Sequence, residues 1–244
     1  MRKICLTIEY DGTDFVGWQY QPNGLSVQES VETALAERLG ESVRLISASR
    51  TDAGVHARGM VAHFETSTNL PIAAYREGVN TLLPSTIAIT AARSVANDFH
   101  ARYDARGKWY RYTIMTGTVR SPLNHRQAWF MRSRLDLFNM RQAAEDFVGE
   151  HDFGAFRTSG CTARTTRRTV YSVDICAHNE FIIIDVRGSG FLRNMVRMMV
   201  GTLAEIGAGK RPVTAVAELF AGSSERTAFT APAHGLCLMA IEYQ

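Results

Sequence analysis

One short stretch of the chain, residues 49–57, combines side chains that could carry out chemistry. It places Arg50, Asp52 and His56 around Gly54, and glycine permits tight backbone geometry. Asp52 and His56 could act as an acid–base pair, as in a hydrolase with a small-molecule pocket. The alternative is an ordinary Asp-x-Gly turn in which Asp52 only caps backbone groups. The loop alone does not decide between these interpretations.

A second group of versatile side chains is Lys-Trp-Tyr-Arg-Tyr at positions 108–112. Side chains alternate along a strand, so Lys108, Tyr110 and Tyr112 are predicted to share one face. Aromatic rings interleaved with cations suit stacking on unpaired nucleobases. The alternative, which the pattern supports equally, is a sheet face whose tyrosines are buried against a helix.

A third feature is a Gly-Ser-Gly turn at residues 188–190, which leads into an apolar segment predicted to be helical over 191–206. Arg193 and Arg197 are four residues apart and are predicted to share one face near the start of this helix. Cations are unfavourable at that end of the helix dipole. Their position therefore predicts a fixed partner, such as a carboxylate elsewhere in the chain.

The elements that must position these residues follow from hydrophobic periodicity. In the first half we predict strands over 3–10, 43–49, 60–66 and 87–95, with helices opened by the capping box at 26–29 and by Pro71. In the second half we predict strands over 109–115, 169–176, 181–186 and 236–243, with helices over 136–148, 191–206 and 213–221. A hairpin is predicted to turn at His178–Asn179.

Both halves therefore have the order βαββαβ, with an additional short helix and an insertion in the second half. This order predicts an α+β fold of tandem ferredoxin-like halves, with antiparallel sheets and helices on one face. We place the boundary near Asp98. Residues 1–98 then form a half that carries the Asp52 loop, and residues 99–244 form a half with an insertion rich in arginine and turn residues.

Length and charge limit the classes of function. The chain has 244 residues, enough for one large domain or two small ones. Its net charge is only +3, but residues 99–134 hold eight basic residues against one acidic residue, a local charge of +7. A second basic stretch, residues 157–168, contains no acidic residue. Two concentrated basic segments favour a polyanionic partner such as nucleic acid, and a solvated basic surface is the alternative.

Several other classes are not expected. Because the apolar runs are short and the N-terminus lacks a signal-peptide pattern, we expect a cytoplasmic protein that does not bind membranes. The four cysteines and seven histidines have no metal-ligand or redox spacing, so we predict no metal site.

The motifs together resemble those of the tRNA pseudouridine synthase A family over essentially the whole chain. The matching segments are residues 10–15 (Tyr-Asp-Gly-Thr-Asp-Phe), 17–19 (Gly-Trp-Gln), 50–56 (Arg-Thr-Asp-Ala-Gly-Val-His), 98–102 (Asp-Phe-His-Ala-Arg), 110–112 (Tyr-Arg-Tyr), 151–153 (His-Asp-Phe), Phe191 with 195–197 (Met-Val-Arg), and 235–236 (Gly-Leu). This resemblance implies the pseudouridine synthase fold.

The resemblance also implies the reaction, which is the conversion of uridine to pseudouridine at positions 38–40 of the tRNA anticodon stem-loop. It assigns Asp52 as the catalytic nucleophile and Arg197 as the arginine that pairs with it. Tyr110 matches the tyrosine that stacks on the target base and assists removal of the C5 proton. The resemblance further implies a homodimer that uses no cofactor.

The same resemblance assigns the contacts to RNA. Arg50 matches an arginine that contacts RNA near the space left by the target base. The remaining substrate-binding residues are Phe99, His100, Ala101, Arg102, Tyr103, Gly160, Cys161, Thr162, Ala163 and Arg164. These two runs coincide with the two basic segments identified from charge.

Two alternatives compete with this interpretation. A non-catalytic RNA-binding protein of ferredoxin-like fold would carry an Arg/Lys-Gly-Phe/Tyr-Gly/Ala-Phe signature on a central strand, and we do not find one. A hydrolase that uses Asp52 and His56 as its catalytic pair would not explain the basic segment at residues 99–134. We therefore interpret His56 as a residue that holds its loop by hydrogen bonding.

Overall fold

The computed structural model describes residues 1–158, 160, 163–223 and 227–243. The strands are β1 (Arg2–Tyr10), β2 (Ile46–Ser47), β3 (His56–Thr66), β4 (Ile87–Val95), β5 (Gly107–Thr116), β6 (Trp129–Met131), β7 (Gly149–Asp152), β8 (Arg167–His178), β9 (Phe181–Gly188) and β10 (Leu236–Glu242). The α-helices are α1 (Val27–Leu39), α2 (Leu137–Glu145), α3 (Met195–Gly207) and α4 (Ala215–Ala221). The fold is thus mixed α+β with mostly antiparallel strands, as predicted.

The chain forms two compact units, and their limits differ from the predicted boundary at residues 98/99. The first unit contains Met1–Arg106 and the chain from Cys237 onward, and the second contains Gly107–Leu236. Strand β10 joins the first unit because it pairs in parallel with β3, with Cys237 opposite His56. Residues 99–106 also belong to the first unit, together with the Asp52 loop.

The sheet of the first unit has the order β4-β1-β3-β10, and β2 also pairs with β3. Strand β1 is antiparallel to both of its neighbours. Its alternating residues Ile4, Leu6 and Ile8 are fully buried, which is the period-2 pattern that predicted the strand. Helix α1 contributes Val31 and Leu35 to the buried core.

Helix α1 begins and ends as its sequence predicts. The Ser26 side chain accepts a hydrogen bond from the Glu29 N–H at 3.2 Å, which satisfies one of the free N–H groups of the first turn. At the other end Gly40 has the left-handed conformation, with φ 71°, and closes the helix.

The sheet of the second unit has the order β5-β9-β8-β7, with antiparallel pairs and with β6 parallel to β5. The predicted hairpin is present, because His178 pairs with Phe181 across a two-residue loop that contains Asn179 at φ 53°. Helix α3 is buried along most of its length. Among the described helices, none is long and apolar enough to cross a membrane.

Several predicted elements differ from those observed. The strand predicted at 43–49 is limited to Ile46–Ser47, and the helix after Pro71 contains a π-helical segment, Ala74–Gly78. The short elements β6, β7 and the 3₁₀ helix Phe153–Phe156 were not predicted. These elements are too short for hydrophobic periodicity to reveal.

Candidate active site

The Asp52 loop connects β2 to β3, and its backbone is bonded to the connection that follows β1. Asp52 forms an isolated antiparallel bridge with Gly17. The Thr51 carbonyl accepts the Trp18 N–H at 3.1 Å, and the Asp52 carbonyl accepts the Val55 N–H, also at 3.1 Å. The half-buried Asp52 side chain is therefore carried by a backbone that is fixed on both sides.

Two glycines allow the Asp52 loop to lie this close to the connection that follows β1. Gly17 has φ 117°, and a Cβ atom built on it would lie 2.7 Å from the Thr51 carbonyl oxygen. Gly54 adopts φ 76°, the left-handed conformation that the Asp-x-Gly turn requires. The turn interpretation is thus correct as a description of the backbone of this loop.

Side chains beneath the loop hold it further. The hydroxyls of Tyr10 and Thr51 are hydrogen bonded at 2.7 Å. Trp18 is 1% exposed, and its ring centroid lies 6.0 Å from that of Tyr10. These contacts explain why the loop packs tightly although it is neither helix nor strand.

His56 is buried at the start of β3 and bonds to the connection after β1. Its Nδ1 atom accepts the Gly12 N–H at 3.1 Å and lies 3.1 Å from Oδ1 of Asp11. This contact agrees with the interpretation of His56 as a residue that holds the loop. Arg50, by contrast, is exposed at the beginning of the same loop.

The five predicted RNA contacts at residues 99–103 lie in the first unit and differ in exposure. Arg102 and Tyr103 are exposed, and Tyr103 is exposed by 76%. Phe99 and His100 are half-buried, whereas Ala101 is fully buried in the core. The Ala101 side chain thus packs in the core, beside Phe99 and Tyr243.

Tyr110 and Tyr112 both lie on the buried face of β5. Tyr110 is 6% exposed and packs edge-on against Phe191, with ring centroids 5.3 Å apart. The fully buried Tyr112 donates its hydroxyl to the Pro232 carbonyl at 2.8 Å, and burial raises the pKa of its phenol. Of the two interpretations of this face, the buried one is correct for Tyr112. Lys108 is half-buried.

Arg197 is half-buried in the first turn of α3. Its guanidinium donates from Nε to the Ala231 carbonyl and from Nη1 to Oδ1 of Asn194, both at 2.7 Å. The prediction that Arg193 shares a helical face with it is wrong. Asn194 has the left-handed conformation, with φ 61°, and the helix begins only at Met195.

Arg193 instead approaches the second predicted RNA-binding run. A Cβ atom on Gly160 would lie 3.6 Å from Nη1 of Arg193. Gly160 and Arg164 are exposed, and Ala163 is half-buried. Cys161 and Thr162 lie outside the described residues. The proximity of Arg193 to Gly160 was not predicted from sequence, because it depends on the break in the helix before Met195.

Comparison with known proteins identifies the family. The family model described as tRNA pseudouridine synthase matches residues 6–104 and 143–244. The chain belongs to the tRNA pseudouridine synthase family. The resemblance inferred from the motifs is therefore confirmed, and the enzyme is an isomerase, which favours the catalytic interpretation over a non-catalytic RNA-binding protein.

Individual relatives support the assignment over the full length. The tRNA pseudouridine synthase A of Syntrophotalea carbinolica is 60% identical over 244 residues, covering 100% of this chain and 97% of the relative. That of Geobacter sp. (strain M21) is 52% identical, covering 100% and 99%. The enzyme of Acetivibrio thermocellus is 43% identical and is covered completely, as is this chain.

Similarity to solved structures is weaker. The archaeal box H/ACA sRNP Nop10–Cbf5 complex aligns with 83% of this chain and 43% of that chain, at 11% identity and a TM-score of 0.40. We draw no conclusion from a similarity at that level.

Among the described residues, no three His, Cys, Asp or Glu side chains lie close enough together to hold a metal ion.

Proposed function

We propose that the protein isomerises uridine to pseudouridine at positions 38–40 of the tRNA anticodon stem-loop. The observation that carries the proposal is the Asp52 loop, a fixed and half-buried carboxylate within the motif Arg-Thr-Asp-Ala-Gly-Val-His of a pseudouridine synthase family member. Rigid presentation of a reactive group is what catalysis by positioning requires.

In this proposal Asp52 is the nucleophile. The glycosidic bond between N1 and C1′ breaks, the base rotates, and a bond forms between C5 and C1′. The C5 proton then leaves and N1 gains a proton, so that the product is an isomer of uridine. A nucleophilic carboxylate must be ionised, and a neighbouring cation favours the ionised form. We assign that role to Arg197, whose guanidinium is oriented by Asn194 and by the Ala231 carbonyl.

Tyr110 is assigned to the target base. Phe191 packs edge-on against the Tyr110 ring and fixes its orientation, and we propose that a flipped uracil stacks on this ring. Its hydroxyl is the group that we propose assists removal of the C5 proton.

The RNA is proposed to be bound by residues from both basic segments. Arg50, Arg102 and Arg164 are exposed cations suited to phosphate, and Tyr103 is an exposed aromatic suited to an unpaired base. The backbone of the run at 99–103 and of the run at 160–164 completes the set. We further propose a homodimer in the cytoplasm that needs no cofactor.

The substrate assignment is tested by mapping pseudouridine in tRNA transcripts. Each transcript carries a uridine at only one of positions 38, 39 and 40, with cytidine at the other two. After incubation with enzyme, carbodiimide modification and primer extension should stop one nucleotide before the single uridine in every case. Modification elsewhere in the tRNA, or at none of the three positions, would refute the proposed substrate site.

A further inference from the structure

Residues 97–101 lead into the exposed part of the proposed RNA contacts at 99–103. Side chains on and beside the first unit's sheet bind the backbone of this segment. Lys3, buried on β1, donates from Nζ to the carbonyl oxygens of Asn97 and Phe99, at 2.5 and 3.1 Å. Tyr243, directly after β10, donates its hydroxyl to the Ala101 carbonyl at 2.8 Å. Two side chains thus bind three backbone carbonyls of this segment, at the alternate residues Asn97, Phe99 and Ala101.

His63 supplies the complementary contact. It lies on β3, is 2% exposed, and accepts the Ala101 N–H on Nδ1 at 3.1 Å. Its ring also packs edge-on against Phe99 and His100, with centroids 5.9 and 5.1 Å away. A ring nitrogen that accepts a hydrogen bond carries no proton. This contact therefore requires a neutral imidazole whose single proton is on Nε2.

The surroundings of His63 keep it neutral. Its pKa is lowered to about 4, first by burial and then by electrostatic interactions with His100 and Lys3. Glu65 and Asp104 act in the opposite direction and raise the pKa, but by less. At neutral pH the imidazole is therefore uncharged and able to accept.

Beyond Ala101 the chain makes a turn that is closed by its own residues. His100 Nδ1 accepts the N–H groups of Arg102 and Tyr103, each at 3.2 Å. Asp104 accepts the His100 N–H on Oδ2 at 2.9 Å. The exposed side chains of Arg102 and Tyr103 consequently project from a backbone that is anchored beneath them.

We propose that Lys3, His63 and Tyr243 are positioning residues, which fix the backbone of residues 97–101 so that Arg102 meets RNA in one orientation. The inference rests on the proposed function, in which Arg102 contacts the tRNA. A loop that is already ordered loses less conformational entropy on binding. The three residues should therefore act on tRNA affinity and KM, and leave kcat unchanged.

The test uses Tyr243→Phe, which removes one hydroxyl, with Tyr75→Phe as its matched control. Tyr75 is a fully buried tyrosine of the same unit whose hydroxyl bonds to Thr68. We expect Tyr243→Phe to weaken tRNA binding roughly two- to tenfold, the net value of one hydrogen bond, with kcat retained. Tyr75→Phe should reduce stability without changing tRNA affinity. Equal effects of both variants on tRNA affinity would overturn the positioning role.

A double-mutant cycle separates this inference from the function on which it rests. Where Arg102→Ala already weakens binding, adding Tyr243→Phe should cost less than about twofold more, because the two residues act through one contact. If Arg102→Ala weakens binding and Tyr243→Phe does not, the positioning role is wrong and the RNA contact stands. If Arg102→Ala has no effect, the RNA contact itself is wrong, and the inference fails with it.

His63 gives an independent pair of variants. His63→Asn keeps an acceptor attached to Cγ, at the position of Nδ1, whereas His63→Leu has none. We expect the asparagine variant to recover most of the tRNA affinity that the leucine variant loses. Equal losses in two folded variants would contradict the proposal.

Discussion

The position of Asp52 is fixed by neighbouring residues that have no proposed role in the reaction. Its loop is bridged to Gly17, bonded through Thr51 to Trp18 and Tyr10, and closed by Gly54. A displacement of about 1 Å at a reacting group can reduce a rate by about a hundredfold. The residues that limit such displacement therefore matter to catalysis although they touch no substrate.

Gly17→Ala tests this dependence. The new Cβ would meet the Thr51 carbonyl at 2.7 Å in a backbone at φ 117°, so the Asp52 loop must shift. We expect kcat to fall by roughly a hundredfold. Gly40→Ala is the control, because Gly40 has φ 71° but nothing within 4 Å of a Cβ. It should reduce stability by about 1–2 kcal/mol and leave kcat unchanged. Similar kcat values for both variants would contradict the argument.

His63 predicts a pH dependence of stability. Its pKa is about 4 in the folded protein and near 6.5 when unfolded, so the unfolded state takes up a proton first as pH falls. The stabilising contribution is complete above about pH 6.5 and is lost progressively between pH 6.5 and 4. Urea unfolding of the wild type and of His63→Gln should therefore show a smaller loss for the variant across that window. Parallel curves would show that His63 does not titrate as described.

Prediction from sequence was uneven among single residues. Roles for Asp52, Arg102 and Arg197 could be proposed from sequence because these residues lie in local motifs. Lys3 and His63 could not, since their roles depend on residues 97–101 lying over the sheet. That contact joins positions far apart in the chain.

At the scale of elements, the start of helix α1 is hydrogen bonded to part of the candidate active site. The N–H groups of Val27 and Gln28 in its first turn donate to the carbonyls of Gly17 and Trp18, at 3.1 and 2.9 Å. The start of the helix thus holds the same connection that bridges Asp52. Its position was predictable, because a capping box and a terminal glycine mark both ends.

Ser26→Ala should therefore destabilise the first unit. The substitution removes the side-chain acceptor of the Glu29 N–H, and loss of such a cap costs about 1 kcal/mol. Chemical denaturation should show this loss, whereas Ser26→Thr, which keeps a hydroxyl, should lie close to the wild type. A wild-type midpoint for the alanine variant would mean that the cap contributes nothing here.

Elements with a buried face were predictable, and those defined by single residues or distant pairing were not. Strand β4, in which Ile87 and Ile89 are buried on one face, was predicted at its observed limits. Helix α3 starts later than predicted, because periodicity cannot show that Asn194 adopts a left-handed conformation. The pairing of β10 with β3 is a contact between segments far apart in the chain, which no local pattern encodes.

For the whole molecule, the proposed catalytic and RNA-contact residues are distributed over both compact units. Asp52, Arg50 and Arg102 belong to the first, and Arg164 and Arg197 belong to the second. The net charge of +3 does not reveal the two basic segments, because acidic residues elsewhere in the chain offset their charge. The charge distribution, and not the total, carried the prediction of a polyanionic partner.

Salt dependence of tRNA binding tests that distribution. Each phosphate contact that is lost should reduce the slope of log affinity against log salt by about one. Arg102→Ala and Arg164→Ala should each produce this change, and the double variant about twice as much. Arg44→Ala is the control, because Arg44 is an exposed arginine outside both segments that pairs with Glu32 at 3.1 Å. A change of slope for Arg44→Ala equal to the others would indicate nonspecific charge loss.

The most direct test of the central claim is tritium release from tRNA labelled at uridine C5, comparing the wild type with Asp52→Asn. Asp174→Asn, on the exposed side of β8, serves as the matched carboxylate control. We predict release by the wild type and by the control, and none by Asp52→Asn, which should still bind tRNA. Release by Asp52→Asn at the wild-type rate would contradict the assignment of Asp52 as the catalytic nucleophile.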